Sequence, residues 1–200
     1  MSDAPLILAL DISKRLTGIC VGRIGETPRF MSIRGADMTD EAAMMRLGRW
    51  LIDFTKTTKP DWIWYEAALS IIPGEYDAEK GRVISKGNPQ TVITLAKMTA
   101  VVEFIAGMKA IQRRSANVQT ARKVVLGQGR PREPKKLAMA MCRELGWSPK
   151  NEDEADAGIV WQYACLQVKP HAAAIITPMM QQRVASRAEK RRIGEDAGIL

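Results

Sequence analysis

The sequence is poor in the residues that build most soft-metal and redox sites. It contains one histidine, His171, and three cysteines in 200 residues. Cys20, Cys142 and Cys165 are far apart, lie inside apolar runs and form no C-x-x-C pair. We therefore predict reduced thiols in the hydrophobic core, and a structural zinc site has little support.

Long apolar runs and a secretory leader are also missing. The longest apolar stretches are interrupted by Lys, Glu or Gly well before the about 20 residues that cross a bilayer. The N-terminus has Asp3 where a signal peptide has basic residues, and Asp11 ends its apolar run. We therefore expect a soluble, cytoplasmic protein with no membrane partner.

The overall composition is that of a globular protein. Hydrophobic residues make up 46% of the chain and charged residues 26%, a balance unlike that of disordered or fibrous proteins. The length suits one domain with a substantial core. We predict one domain over residues 1–170, followed by a basic helix or flexible tail over 171–200.

Positive charge is concentrated in two stretches of the chain. The net charge of the whole chain is +8. Between residues 109 and 136, Glu133 is the single acid. The basic residues of the two stretches are Lys109, Arg113, Arg114, Arg122, Lys123, Arg130, Arg132, Lys135 and Lys136, then Arg183, Arg187, Lys190, Arg191 and Arg192. Two interpretations stay open: a solvated surface, and a face that binds the phosphates of a polyanion.

Hydrophobic patterning predicts a sheet in the first third of the chain. Residues 5–12 and 17–24 fit two strands joined by a tight polar turn, and residues 29–34 alternate like a half-exposed strand. We expect these strands to form an antiparallel meander. A helix capped by Thr39 follows, and the aromatic and β-branched run at 61–67 then predicts a buried strand.

Beyond this strand, the pattern is mainly helical. Residues 69–87 include Pro73 and show no clear periodicity, so we expect a loop. Asn88 and Pro89 suit the start of a helix, which is apolar on most sides and is therefore predicted to be central. The remaining predicted elements are a short strand at 117–120, a basic turn or helix at 121–126, and helices at 135–145 and 152–168.

Two acidic residues lie at the ends of predicted strands. Asp11 ends the first strand after an apolar run, and Glu66 lies near the end of the strand at 61–67. If these strands are neighbours, the two carboxylates approach one another at the edge of the sheet. Like charges in a partly buried site are unfavourable unless a cation offsets them. Both acids are therefore candidate metal ligands.

A further acidic segment, NEDEADA, begins the last predicted helix. Asp153 and Asp156 are three residues apart in it and so share one helix face. Acids at a helix N-terminus complement the helix dipole, which explains a surplus that includes Glu152 and Glu154. The dipole does not explain why Asp156 lies among small and apolar neighbours. For this motif, a capping role and a ligand role both stay open.

Convergent carboxylates suit hard divalent cations. Mg²⁺, for which Mn²⁺ can substitute, takes oxygen ligands, and two such ions about 4 Å apart can promote phosphodiester cleavage. We predict that Asp11, Glu66, Asp153 and Asp156 hold two ions and direct an in-line attack of water on phosphorus. The products would carry 5′-phosphate and 3′-hydroxyl ends.

The motifs, taken in order, resemble those of a known nuclease family. The runs LALDISKRLTGICVG, WIWYEA, QTARKVVLGQG and NEDEADAGIVWQYA are similar to the successive motifs of RuvC-type Holliday junction resolvases, over about residues 6–168. The resemblance implies an α/β, RNase H-like fold, with a five-stranded mixed sheet flanked by helices. Its strands are expected to be antiparallel at first and parallel afterwards. It also implies a homodimer that nicks two opposing strands of a four-way junction.

The same resemblance assigns roles to individual residues. Asp11 and Glu66 take the places of the first-strand and fourth-strand acids, and Asp153 and Asp156 take those of the paired acids in the last helix. Arg122 and either Lys135 or Lys136 match basic residues that the family places near the scissile phosphate.

The chain departs from the family after Glu66. It reads Ala67-Ala68-Leu69 where the best-known members place an aromatic wedge, so opening of the junction would depend on Leu69 or on the loop after it. Flaps and forks therefore stay open as substrates beside the four-way junction. The predicted DNA contacts are Arg15, Leu69, Arg122, Lys123, Arg130, Lys135 and Lys136.

Two other classes of function remain as alternatives. An ATP-binding protein of related fold also begins with an aspartate-bearing strand and turn, but its turn is glycine-rich, whereas Ser13, Lys14 and Arg15 fill the turn here. A non-catalytic protein that binds branched DNA would have the same basic face. The presence of all four acids counts against it.

Overall fold

The computed structural model describes residues 4–67, 74–77, 82–85 and 89–170 of the chain. The strands are β1 (Leu6–Asp11), β2 (Leu16–Arg23), β3 (Arg29–Arg34), β4 (Trp62–Glu66), β5 (Gly74–Asp77), β6 (Arg82–Ser85) and β7 (Gln112–Ala116). The helices are α1 (Asp40–Thr57), α2 (Pro89–Met108), α3 (Val118–Leu126), α4 (Pro134–Glu144) and α5 (Glu152–Val168). The basic segment 171–200 lies outside the described residues.

One mixed sheet organises the domain. Its order is β3-β2-β1-β4-β7, while β5 and β6 form a separate antiparallel pair. β1, β2 and β3 pair antiparallel in succession, whereas β4 is parallel to both of its neighbours, β1 and β7. The predicted five-stranded sheet, antiparallel at first and parallel afterwards, is therefore confirmed.

The sheet is covered on both faces because its central strand is apolar on both. Successive side chains of a strand point to opposite faces. Ile7 and Ala9 join a core with residues of α3, α4 and α5, whereas Leu8 and Leu10 join a core with residues of α1 and α2. The three cysteines are buried free thiols in the first of these cores, as predicted.

α5 is the most deeply buried helix of the described residues, and its bounds match the prediction of 152–168. Asn151 caps it by accepting a hydrogen bond from the backbone N–H of Glu154. Trp161 anchors it to β2, because the indole N–H donates to the carbonyl of Gly22 at 3.3 Å. At the other end, a Cβ placed on Gly18 of β2 would lie 2.0 Å from the carbonyl oxygen of Asp153. The first turn of α5 therefore rests directly on the β2 backbone.

The prediction of a loop throughout 69–87 is wrong in part. Residues 74–77 and 82–85 pair as the antiparallel strands β5 and β6. Val83 and Ile84 are β-branched and favour a strand, but each strand has only four residues, too few for alternation to be recognised. The rest of this segment, with Leu69, lies outside the described residues.

The prediction of a strand at 117–120 is also wrong. The strand comes earlier, as β7, and Asn117 is the N-cap of α3, where its side chain accepts a hydrogen bond from the backbone N–H of Thr120. Because an exposed edge strand does not need apolar residues, β7 contains Arg113 and Arg114 and lacks the apolar pattern from which a strand is predicted.

α2 is not the central helix that its composition predicted. It buries one face, with Met98, Val102 and Ile105, against the sheet and α1. On the rest of its surface, Phe104 is 66% exposed and Met108 is 70% exposed. The helix is apolar on most sides, but one sheet covers only one side of it.

By length and composition, α2 is also the one helix of the described residues that meets the criteria for crossing a membrane, with a mean hydropathy of 1.5. This differs from the expectation that charged interruptions exclude such a segment, since Lys97 and Glu103 fall within it. A single helix of this kind is weak evidence, because helices packed in globular domains meet the same criteria.

We predict that Gly18→Ala destabilises the protein by about 2 to 3 kcal/mol, because the added methyl group forces α5 away from β2. Urea denaturation measures the change. Gly107→Ala is the matched control, since a Cβ there would meet only the Arg113 guanidinium, at 3.8 Å. Equal effects of the two substitutions would contradict the close contact between Gly18 and α5.

Candidate active site

The carboxyl ends of β1 and β4 place two acids side by side. The two strands are parallel neighbours, with Leu10 opposite Tyr65 in the register, so Asp11 and Glu66 end them next to each other. Their side chains share a hydrogen bond. The predicted approach of these two acids is therefore present in the structure.

The first turn of α5 brings the other two acids to the same place. Gly18 lies opposite Asp11 in the β1–β2 register, and the backbone of Asp153 packs on Gly18. The charges of Asp153 and Asp156 are both close enough to Asp11 to raise its pKa. The four acids from three separate stretches thus form one group, which we call the acidic cluster.

Burial dominates the electrostatics of the strand-end pair. Burial raises the pKa of Asp11 well above its ordinary value, and the negative charges of Glu66 and Asp156 raise it further. Burial also raises the pKa of Glu66, whereas the hydrogen bond with Asp11 lowers it. The pair therefore holds a proton more tightly than two exposed carboxylates would.

Two basic side chains enter the acidic cluster from α3 and α4. Arg122 lies 3.2 Å from Asp156, and both side chains are largely buried. Lys135 lies 2.8 Å from Asp153. Burial raises the pKa of Asp156, against the lowering effect of the Arg122 charge. The hydrogen bond with Asp153 raises the pKa of Lys135.

The acidic cluster has the right donors for a hard cation but is not arranged as a closed ligand set. Among the described residues, no group of three or more His, Cys, Asp or Glu side chains is positioned to hold a metal ion. The oxygens of Asp153 and Asp156 are directed to Lys135 and Arg122 instead. Carboxylates that burial and mutual repulsion disfavour as anions are nevertheless the donors that Mg²⁺ takes. In donor chemistry, the residues fit the predicted ion.

The other predicted basic DNA contacts lie outside the acidic cluster. Arg15 is exposed between β1 and β2, and Lys123 is exposed on α3. Arg130 donates a hydrogen bond to Gln119 at 3.1 Å, and Lys136 pairs with Glu133 at 2.5 Å. Of the predicted basic residues within the described part of the chain, only Arg122 and Lys135 pair with the predicted catalytic acids.

Two neighbouring acids left open by the sequence have other partners. Glu154 is almost fully buried and accepts hydrogen bonds from the Lys150 backbone N–H and the Asn151 side chain. Its carboxylate therefore stabilises the start of α5. Glu152 lies 3.7 Å from Lys135 at the exposed rim of the cluster.

Asp40, which the sequence singled out only as a first-turn acid of α1, connects α1 with α2 and with the turn between β1 and β2. It pairs with Lys14 at 2.6 Å and accepts hydrogen bonds from Gln90 and Thr94 of α2. The hydrogen bond from Lys14, with those from Thr94 and Gln90, holds the pKa of Asp40 well below its usual range. No local sequence signal predicts this, since the partners are distant in the chain.

Comparison with known proteins gives similarity in structure but not in sequence. No family model matches the chain, and no curated protein matches it. The structure of T. thermophilus RuvC in complex with Holliday junction substrate is similar with a TM-score of 0.61 and 10% identity, covering 82% of this chain and 94% of that one. A second Thermus thermophilus RuvC structure gives a TM-score of 0.57 and 13% identity, covering 81% and 95%.

The yeast mitochondrial Holliday junction resolvase Ydc2 is a third similar structure. Its TM-score is 0.54 and its identity 11%, over 86% of this chain and 83% of that one. At such low identity, the similarity concerns the fold, and it confirms the RNase H-like fold implied by the motifs.

We predict that Asp11→Asn raises the stability of the metal-free protein at neutral pH by about 1 to 3 kcal/mol. The amide cannot ionise and can still donate a hydrogen bond to Glu66. Because folding raises the pKa of Asp11, the folded wild type loses stability as pH rises from about 4, the unfolded pKa, through the higher folded value. The gain should therefore disappear below about pH 4. Urea denaturation in a chelator across this pH range measures it, and a gain independent of pH would contradict the assignment.

Proposed function

We propose that this chain, which has the fold of the RuvC-type resolvases, is a metal-dependent, structure-selective endodeoxyribonuclease. It would resolve Holliday junctions or other branched DNA by paired nicks that leave 5′-phosphate and 3′-hydroxyl ends. The observation that carries the proposal is the acidic cluster, which is gathered at the carboxyl ends of β1 and β4 beneath the first turn of α5.

The surroundings of the acidic cluster support a phosphodiester substrate. Arg122 and Lys135 lie beside the acids, and Lys123 is exposed on the same helix as Arg122. Acids that hold cations, next to basic groups that hold phosphate, are the combination that cleavage of a polyanion requires. Such a site also suits cleavage better than binding alone, because a binding protein has no need of buried carboxylates.

Divalent cations, Mg²⁺ or Mn²⁺ and two per site, are part of the proposal. Asp11, Glu66, Asp153 and Asp156 would hold them, and the ions would activate water and offset charge at phosphorus. The chain's own contribution would be to keep the four carboxylates in a partly dehydrated site and to hold Arg122 next to Asp156.

Branched DNA is proposed as the substrate class on two grounds. One similar structure, that of T. thermophilus RuvC, is a complex with a Holliday junction substrate. The order of motifs in this chain resembles that family independently of the structure. The preferred branched form would depend on Leu69 and the segment after it. This prediction rests on the sequence alone.

A homodimer is proposed because paired nicks need two active sites, and a four-way junction has two-fold symmetry. The exposed apolar face of α2, with Phe104 and Met108 at one end, is the candidate contact surface. Exposed apolar surface of this kind marks interaction sites. α2 lies on the opposite side of the sheet from α5, so a contact there leaves both acidic clusters open to DNA.

We predict that the protein cleaves a synthetic four-way junction when Mg²⁺ is present, and that Asp11→Asn abolishes cleavage while junction binding is kept or strengthened. Removing a negative charge does not weaken attraction to phosphate. Gel assays of cleavage and binding, with fork, flap and linear duplex for comparison, measure both effects. Asp53→Asn is the control, because Asp53 is exposed and pairs only with Lys56 in the described contacts.

The outcomes separate the classes of function. Binding of junctions without cleavage by the wild type would favour a non-catalytic DNA-binding protein. ATP binding with no cleavage of branched DNA would favour the ATPase alternative. Unchanged cleavage by Asp11→Asn would reject the acidic cluster as the active site.

We predict that the protein sediments as a dimer and that Phe104→Glu shifts it to a monomer, because a charge in an apolar contact is unfavourable. Sedimentation velocity, alone and with junction DNA, is the measurement. Val124→Glu is the control, since Val124 is an exposed apolar residue, at 47%, on the other side of the sheet. A wild-type monomer under both conditions would rule out the dimer.

A further inference from the structure

Two carboxylates of the acidic cluster are already neutralised by side chains of the chain itself. Arg122 of α3 donates to Asp156 at 3.2 Å, and Lys135 of α4 donates to Asp153 at 2.8 Å. Both partners come from regions far from α5 in the sequence. No ready-made ligand group is present among the described residues, and the oxygens that these ion pairs occupy cannot serve both a basic side chain and a cation at full strength.

The two pairs differ in depth. The side chains of Arg122 and Asp156 are 17% and 7% exposed, whereas those of Lys135 and Asp153 are 47% and 23% exposed. Attraction between charges is stronger where water is excluded. The Arg122 pair is therefore the stronger competitor for its carboxylate, and the Lys135 pair the weaker.

Arg122 is also incompletely bonded in this arrangement. Its buried Nε–H has no hydrogen-bond partner among the described residues. A buried donor without an acceptor is unfavourable. An acceptor that occupies both Nε and a terminal nitrogen, as a phosphate group does, would satisfy this donor and offset part of the loss of the Asp156 contact.

We propose that Arg122 and Lys135 are internal counter-ions of the acidic cluster, which a divalent cation displaces from Asp156 and Asp153. The inference rests on the proposed metal site and adds a competition within it. The displaced side chains become available to a DNA phosphate. Cation and DNA then bind cooperatively, since each ligand relieves a contact that hinders the other.

The test measures affinity for Mn²⁺ by titration calorimetry on the full chain without DNA, at constant pH and salt. Lys135→Ala removes the weaker competitor and should tighten Mn²⁺ binding about two- to fivefold. Arg122→Gln removes the stronger one and should tighten it about tenfold or more. A role limited to holding DNA would leave these affinities unchanged.

Adjacent residues provide the controls. Lys136→Ala removes the same charge one position along α4, from a side chain that pairs with Glu133 and is 73% exposed. Lys123→Gln removes a positive charge from the exposed residue next to Arg122 in the sequence. We expect Mn²⁺ to bind more tightly to Lys135→Ala than to Lys136→Ala, and more tightly to Arg122→Gln than to Lys123→Gln. Equal affinities in each variant and its control would overturn the inference, because the effect would then be one of net charge.

Thermal melting completes the test. In a chelator, Arg122→Gln should melt below the wild type, because Asp156 is left unpaired, and it should gain more from Mn²⁺ than the wild type does. If that variant does not fold, the comparison of Lys135→Ala with Lys136→Ala decides alone. Absence of Mn²⁺ binding in every variant would overturn the proposed metal site and the inference together. Junction cleavage with unchanged affinities would overturn the inference and leave the function standing.

Discussion

The site depends on one backbone contact, that between Gly18 of β2 and the first turn of α5. Because Gly18 lies opposite Asp11 in the sheet, a helix that rests on Gly18 places its first-turn acids above the end of β1. A side chain at that position would hold the helix away and open the cluster. The anchoring of α5 by Trp161 at its other half fixes the angle at which it approaches.

The acidic cluster conflicts with the stability of the domain, as functional sites often do. Burial raises the pKa of both Asp11 and Glu66 at the end of an otherwise apolar core, while Asp153 and Asp156 each pair with a basic side chain. The chain therefore reduces the repulsion between its own acids in two ways, by raised pKa values that favour a retained proton and by ion pairs. The proposed divalent cations would be a third, acting on the same oxygens.

Local signals predicted much of the fold. The capping residue Thr39 gave the start of α1 and the acidic segment NEDEADA gave that of α5, and the acids that end β1 and β4 were identified because an apolar run stops at each. Predictions from the sequence failed where contacts between distant residues determine the structure. Asn117 caps a helix rather than extending a strand, and α2 is apolar on sides that no other described element covers. The contacts of Arg122 with Asp156 and of Lys135 with Asp153 join distant segments, so no spacing rule could pair them.

The last strand of the sheet has a further consequence. In the described part of the chain, β7 has no neighbour on its outer side. Its backbone could therefore accept a foreign strand, the usual route to sheet-by-sheet aggregation. Arg113 and Arg114 occupy the middle of this edge, and Arg114 lies over the ring of Trp62 at 5.5 Å. Consecutive charges at the rim repel a second copy in the same register, which disfavours strand addition at this edge.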